Sequence, residues 1–273
     1  MEKKKVNLLA IQMESVIGEL DINIDSVKNL LWANLEKYPE TDFVFLPEVW
    51  TAGWHCPSFK DAAEELNESK AVKMLKDTAA KFGVNIIGGS FVEKKGDKLY
   101  NTCPVINRSG ELVCTYSKGH LFSYYGDNEG DYVEKGSELV MVELDGVKIG
   151  LTICYEIRFP EIYRAYRKAG ADILVNMAAW PKGRKIHWDS LTTARAVENQ
   201  TYFVALTQTG LLSDGSENLG HSMIIDYNGE ILSEISDKEG CIFAEVDLDK
   251  MYDFRDKCTV LKDIKDSYEV VNK

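Results

Sequence analysis

A nucleophile, a base and a cation each stand at the end of an apolar run in this chain. The nucleophile candidate lies in Leu151-Thr-Ile-Cys-Tyr-Glu-Ile-Arg-Phe-Pro160. The β-type run Val147–Ile153 stops at Cys154, and Pro160 opens a helix, because proline suits a first helical turn, where its missing N–H costs nothing. A cysteine at a strand-to-helix junction can present its sulfur while free backbone N–H groups point at a developing oxyanion. By residue type alone, Cys154 reads equally as a small core residue. Glu48 follows the apolar strand Asp42-Phe-Val-Phe-Leu-Pro47. A carboxylate there is partly desolvated, which raises its pKa and suits it to accept a proton. The plainer alternative is a surface acid or a charge at a helix N-terminus. Lys118, in Tyr116-Ser-Lys-Gly-His120, follows a strand ending near Thr115. It can stabilise an oxyanion or lower a nearby thiol's pKa, or it is a solvated strand-end lysine. Glu129 lies in Asn128-Glu-Gly-Asp131, which composition alone reads as an acidic turn.

These positions need elements to bring them together. Residues 6–12 read as a strand, and 21–38 carry Ile24, Val27, Leu30, Leu31 and Leu35 at helical spacing. Residues 69–82 form a second amphipathic helix, 85–92 a strand, and 99–115 a hairpin around Asn107-Arg-Ser-Gly110. The stretch 120–136 is polar and aperiodic, a long loop of the kind that is functional or disordered in compact domains. Asp145-Gly146 and Asn228-Gly229 are hairpin turns, joining strands 139–144 and 147–153, and 222–227 and 230–235. Between these hairpins come helix 160–169, strand 172–177, helix 185–199 and strand 202–207; a last strand covers 241–246. The order predicts an α/β fold of two mixed sheets face to face with helices outside, a four-layer α-β-β-α sandwich. No linker interrupts 1–248, which is expected to be one domain. The charged tail 249–273 is too polar for a core element.

The 273 residues carry 32 basic against 44 acidic side chains, a formal charge of −12. An acidic surface repels phosphate backbones, so nucleic acid is not an expected partner. No apolar run reaches membrane-spanning length, and residues 6–13 are too short and too quickly polar for the core of a signal peptide. The expected location is the cytoplasm. The six cysteines form no Cys-x-x-Cys pair, so no zinc site is expected and free thiols are the default. His55 and Cys56 are adjacent, a poor start for a metal site.

Three motifs together resemble the Glu-Lys-Cys signature of the nitrilase superfamily of carbon-nitrogen hydrolases. Leu46-Pro-Glu-Val-Trp50 is similar to its Glu motif, Tyr116-Ser-Lys-Gly-His-Leu-Phe122 to its Lys motif, and Thr152-Ile-Cys-Tyr-Glu-Ile-Arg-Phe-Pro160 to its Cys motif. Glu129 matches the family's second glutamate, in the loop after the lysine. The resemblance runs to about Val246. It implies that Glu48 takes the Cys154 proton, the thiolate attacks an amide carbonyl, and Lys118 with the Tyr155 N–H holds the oxyanion. Ammonia leaves, and water activated by Glu48 hydrolyses the thioester. Glu129 positions Lys118 or the substrate amide. Neither metal nor organic cofactor is implied.

Nitrilases proper usually carry Trp after the cysteine; here Tyr155 follows, which disfavours nitriles. The Cys motif, Asn176-Met-Ala-Ala-Trp-Pro181 and the run from His187-Trp188 to Asn199-Gln200 resemble the ω-amidase branch, whose members hydrolyse 2-oxoglutaramate and 2-oxosuccinamate. On that resemblance Arg158 grips the substrate carboxylate, unless it forms a structural ion pair with Glu156 or Glu161. Phe122 and Trp180 wall the pocket, or are plain core. Gly53-Trp54 departs from the Gly-Phe frequent in relatives, which bears on pocket size. Arg195 and Glu198 fall in a helix that the family buries at a dimer contact, so a homodimer or larger homo-oligomer is expected, with the tail at the contact. Competing readings are another amidase branch (deaminated glutathione or N-carbamoyl amines), a non-enzymatic binding protein on the same fold, and a papain-like Cys-His enzyme.

Overall fold

The computed structural model describes residues 4–124, 127–265 and 269–272. Parts of the long loop (125 and 126) and of the tail (266–268 and 273) therefore lie outside the described residues, as do the first three residues. The first half of the chain holds β1 (Lys5–Gln12), α1 (Leu20–Lys37), β2 (Phe43–Phe45), α2 (Lys70–Phe82), β3 (Asn85–Ile87), β4 (Phe91–Lys95), β5 (Lys98–Ile106) and β6 (Leu112–Ser117), then a short pair, β7 (Ser123–Tyr124) and β8 (Asp127–Asn128). The second half holds β9 (Met141–Leu144), β10 (Val147–Ile153), α3 (Pro160–Lys168), β11 (Ile173–Ala178), α4 (Lys185–Asn199), β12 (Tyr202–Thr207), β13 (Met223–Ile225), β14 (Ile231–Glu234), β15 (Gly240–Asp247) and α5 (Leu248–Lys257).

Two mixed sheets result. One runs β15-β1-β2-β3-β5-β4 with β6 also on β5; the other runs β14-β13-β12-β11-β10-β9. Period-two alternation fixes their faces. On β1, Val6, Leu8 and Ala10 point into the core between the sheets, while Leu9 and Ile11 point out to α1 and α2. On β2, Phe43 and Phe45 face inward and Val44 outward. The α1 stripe Ile24, Val27, Leu31 and Leu35 covers that outer face, as its spacing predicts. Each such side chain, once fully buried, contributes about 1.5–3 kcal/mol. The second sheet carries Tyr163 of α3 and Trp188 of α4 on its far side. The expected α-β-β-α sandwich is therefore the observed one.

Two differences bear on the site. The expected strand 85–92 is broken: β3 ends at Ile87 and β4 begins at Phe91. Gly89 between them has φ +65°, and a Cβ there would lie 2.1 Å from the Pro47 carbonyl oxygen. Only glycine lets the chain pass that close to the residue before Glu48. The tail also differs from its reading as lacking a core element. It begins as α5, capped by the Asp247 side chain accepting from the Lys250 N–H, and it buries Leu248 and Met251. That three-residue spacing is easily lost among seven charged or polar neighbours. Arg255 reaches back to the Gln200 and Ala171 carbonyls at 2.7 and 3.0 Å, so this part of the tail packs on its own chain.

Candidate active site

Glu48, Lys118 and Cys154 follow the C-terminal ends of β2, β6 and β10, and the two sheets bring those ends to one edge. Each is held locally. Beyond Glu48, Val49 adopts φ +37°, costly for a β-branched residue, on the order of 1–3 kcal/mol. The Val49 N–H donates to Ser90 Oγ at 2.8 Å, and Gln208 Nε2 donates to the Glu48 carbonyl at 2.6 Å. Lys118 is fixed through its backbone. Its N–H donates to the Asn101 carbonyl at 2.9 Å, and its carbonyl accepts from Gly136 at 2.8 Å. A Cβ on Gly136 would fall 2.0 Å from the Ser117 oxygen, so the close approach needs glycine.

The sequence places Cys154 between a strand and a helix; the structure inserts a 3₁₀ turn, Cys154–Arg158, before α3. Cys154 is its first residue and has φ +47°. Around this strained point Asn176 Nδ2 donates to the Cys154 carbonyl at 3.3 Å. Arg195 clamps the turn's other end, donating from Nε and Nη2 to the Ile157 carbonyl at 3.1 and 2.8 Å. Glu156, fully buried, ties the Cys and Lys segments together. It accepts from the Ile153, Gly119 and His120 N–H groups and, at 2.7 Å, from the Tyr116 hydroxyl. The Tyr155 N–H lies in the first turn of the 3₁₀ helix, where backbone donors lack an intrahelical acceptor.

The functional groups converge. Lys118 Nζ donates to Glu48 Oε1 and Glu129 Oε2, both at 2.8 Å. Asn101 Nδ2 bridges the same two carboxylates at 3.0 and 3.1 Å. The Phe122 N–H holds Glu129 Oε2 at 2.7 Å. Ala179 joins acid and thiol: its N–H donates to Glu48 Oε2 at 2.9 Å, and its carbonyl accepts from Cys154 Sγ at 3.7 Å. Glu48 and Lys118 are 0% exposed and Cys154 is 5% exposed.

Burial decides the protonation states. It raises the Glu48 pKa above the ordinary carboxylate value, against the pull of Lys118. It pushes the Lys118 ammonium down, but Glu129 and Glu48 outweigh it, and its pKa ends well above the usual lysine value. Burial, then the Glu48 carboxylate, holds the Cys154 thiol protonated. The arrangement is thus a neutral thiol, a basic carboxylate and a fixed cation. It can deprotonate a thiol on demand and receive an oxyanion. The thiol's charged neighbours are Glu48, Lys118 and Glu129 rather than a histidine, unlike a Cys-His enzyme.

A cavity of about 460 Å³ opens onto Cys154 and Glu129. Phe122, Tyr155, Arg158 and Trp180 line it, together with Trp54, Cys56 and Arg184. Phe122 meets Trp54 and Tyr155 edge to face, at 6.0 and 5.7 Å between ring centres. The Lys118 ammonium lies 5.1 Å from the Trp54 ring centre. Arg158 makes neither of the ion pairs weighed for it. Glu156 is two positions away on a helix of about three residues per turn, and so faces elsewhere. Instead the Arg158 guanidinium lies 5.0 Å from the Trp180 ring centre and 5.9 Å from that of Tyr155. Its Nε is buried without a hydrogen-bond partner, and among the described residues its one polar contact is His187 Nδ1, long at 3.5 Å.

Sequence reasoning missed Asn101, Glu156, Asn176 and Gln208 as supports, and Arg184 as a lining residue. Glu156 sat inside the Cys motif, which was a usable signal. Asn101 lies in a β hairpin and offered none.

The carbon-nitrogen hydrolase family model matches residues 9–256. The chain is 42% identical over 228 residues to the 2-oxoglutaramate amidase of Bacillus subtilis (strain 168), covering 83% of this chain and 86% of that protein. It is 36% identical over 231 residues to the deaminated glutathione amidase of Dictyostelium discoideum, covering 79% of each. Among solved structures, Saccharomyces cerevisiae Nit3, a member of branch 10 of the nitrilase superfamily, superposes with a TM-score of 0.87 at 26% identity, over 95% of this chain and 96% of that one. A nucleophile, base and cation gathered at one sheet edge, on this fold and with these relatives, have one common explanation: the chain belongs to the carbon-nitrogen hydrolase family, the nitrilase superfamily, and is an amidohydrolase.

Proposed function

We propose that the chain is an ω-amidase, hydrolysing the side-chain amide of 2-oxoglutaramate or 2-oxosuccinamate. Glu48 takes the Cys154 proton as sulfur attacks the amide carbonyl. The oxyanion is held by Lys118 Nζ and the Tyr155 N–H. Collapse of the tetrahedral intermediate breaks the C–N bond, and Glu48 returns the proton to the departing nitrogen, which leaves as ammonia. Water, deprotonated by Glu48, then attacks the thioester, releasing the acid and restoring the thiol. Glu129 holds Lys118 in place throughout.

The observation that carries the substrate assignment is Arg158. A guanidinium sits on the wall of the cavity that contains Cys154, among aromatic rings, with no carboxylate partner among the described residues. Desolvated by rings, it suits a substrate carboxylate held in bidentate fashion. The name of the Bacillus subtilis relative agrees with this reading. Losing a charged hydrogen-bond pair costs about 1.5–3 kcal/mol. Arg158→Met should therefore lower kcat/KM for 2-oxoglutaramate by about tenfold to a few hundredfold, and by much less for a small neutral amide. Equal losses on both would make Arg158 structural. Ammonia release from a panel of 2-oxoglutaramate, deaminated glutathione, N-carbamoyl amines and nitriles tests the branch directly.

The proposal extends to a homodimer working in the cytoplasm. Apolar side chains stay exposed on α4, at Ile186 and Val197, and in the tail at Val260, Val270 and Val271. A partner subunit would cover them. Among the described residues no helix is long and apolar enough to cross a membrane. Sedimentation at micromolar concentration should give a dimer or larger species; monomer alone would refute the subunit contact.

A further inference from the structure

One buried amide holds Glu48, Lys118 and Glu129 together, yet the reaction sequence above does not use it. Asn101 lies on β5, opposite Val92 of β4, and is 0% exposed. Its backbone carbonyl accepts from the Lys118 N–H at 2.9 Å. Its Nδ2 donates to Glu48 Oε1 at 3.0 Å and to Glu129 Oε1 at 3.1 Å, so both protons of the amide are spent on carboxylates. Its Oδ1 is buried and, among the described residues, has no hydrogen-bond partner. A buried acceptor left unpaired is destabilising. Turning the amide over is worse, because its oxygen would then face two carboxylates. The two donors, and not stability, account for an asparagine at this position.

We infer that Asn101 is a positioning residue: with Lys118 it occupies Glu48 Oε1, keeps Glu48 ionised beside Glu129, and reserves Glu48 Oε2 for the thiol proton. The inference rests on Glu48 being the base and not on which amide is the substrate. Oε1 accepts from Lys118 Nζ at 2.8 Å as well as from Asn101, which takes up both of its lone pairs. Oε2 accepts from the Ala179 N–H at 2.9 Å, and the carbonyl of that same residue accepts from Cys154 Sγ at 3.7 Å. Sulfur and Oε2 therefore flank one residue, and Oε2 keeps a lone pair for a proton. In the transfer the S–H bond breaks, its electron pair stays on sulfur to attack the carbonyl carbon, and an O–H bond forms at Oε2. The same proton later leaves with the nitrogen as ammonia.

The charges around Glu48 make that hold necessary. Burial raises the Glu48 pKa, Lys118 pulls it down, and Glu129 pushes it up again. Burial, then Glu129, pushes the Cys56 thiol on the cavity wall up to about 12, and Cys154 is raised as well, so both thiols are neutral at acidic and neutral pH. Lys118 stays charged over the same range. One cation thus serves two buried carboxylates. A donor shared between them stabilises both ionised forms and offsets their repulsion, and its removal raises the pKa of Glu48.

The acidic limb of the pH profile of kcat/KM tests the inference, measured with whichever amide of the panel above is turned over best. Asn101→Leu removes both donors at similar volume and should move the limb up by about one pH unit or more, with activity recovering as pH rises. Asn101→Asp keeps the shape but replaces the donors with acceptors, and should move the limb at least as far. Asn101→Ser, small and able to reach one carboxylate at most, should give a smaller move in the same direction. Circular dichroism identifies the variants that fold, and any one of them decides the matter. A role confined to packing would lower activity by the same factor at every pH, spare Asn101→Asp, and leave the limb where it is in the wild type, which overturns the inference. An acidic limb that persists in Glu48→Gln overturns the reading of Glu48 as base and this inference with it. A limb lost in Glu48→Gln but unmoved in the folded Asn101 variants overturns the role of Asn101 alone.

Discussion

Cys154→Ala should reduce amide hydrolysis by roughly 10⁴-fold or more, to the detection limit of an ammonia assay, because no other group can form the acyl intermediate. The protein should stay folded. The side chain is small, its bond to the Ala179 carbonyl is long at 3.7 Å, and alanine accepts the same backbone position no less readily. Circular dichroism and thermal melting close to the wild type would establish this. Two other cysteines serve as controls. Cys103 lies between the sheets with Sγ 3.8 Å from Met177 Sδ, and Cys114 sits on the neighbouring strand β6. Cys103→Ala and Cys114→Ala should retain most activity, with a modest loss of stability from the removed sulfur. Ammonia release by Cys154→Ala at the wild-type rate would end the covalent mechanism.

Glu48→Gln should lower kcat by about 10²–10⁴-fold. The amide keeps the shape of the carboxylate and can still accept from Lys118, but it cannot take the thiol proton or activate water. Removing Lys118 instead would confound the result, because two buried carboxylates would lose their shared cation, a loss that typically destabilises by about 3–5 kcal/mol. The pH profile adds an independent readout. The base works only when deprotonated, so kcat/KM is present above the Glu48 pKa and is lost as pH falls through it. Burial raises that pKa, so the acidic limb should lie above the ordinary carboxylate value of 4.5. The residual activity of Glu48→Gln should lack this limb. A Gln variant with near wild-type kcat, or the same limb in both enzymes, would remove Glu48 from the role of base.

Much of this is legible in the sequence. Strand and helix periods along β1, α1, β10 and α4 are local properties, written in every second or every third and fourth residue, so the four-layer order could be read directly. Glu48, Lys118 and Cys154 were recognisable because each stands just past an apolar run. The broken strand between β3 and β4 was not. The β-type residues on either side of Gly88-Gly89-Ser90 read as one run, and only the Pro47 carbonyl pressing on Gly89 breaks it.

The electrostatic character of the site belongs to the tertiary structure. That Lys118 stands between two carboxylates, 70 and 11 positions away in sequence, depends on how the ends of β2 and β6 and the long loop meet. Glu156 looked like a partner for Arg158 by proximity in sequence. The pitch of the 3₁₀ turn sends it inward to Tyr116 and three backbone N–H groups, and leaves Arg158 to the cavity. Arg184 lies in Lys182-Gly-Arg-Lys185, a basic run that by composition is a solvated loop, yet its guanidinium packs near the Tyr124 and Phe122 rings and lines the cavity. The sequence alone determined which elements form and which groups could do chemistry, because periodicity and residue type are carried within a few neighbouring positions. Tertiary structure decided which charges are buried, which are paired and which remain for a substrate, because desolvation and Coulomb energy depend on distance through space and not along the chain.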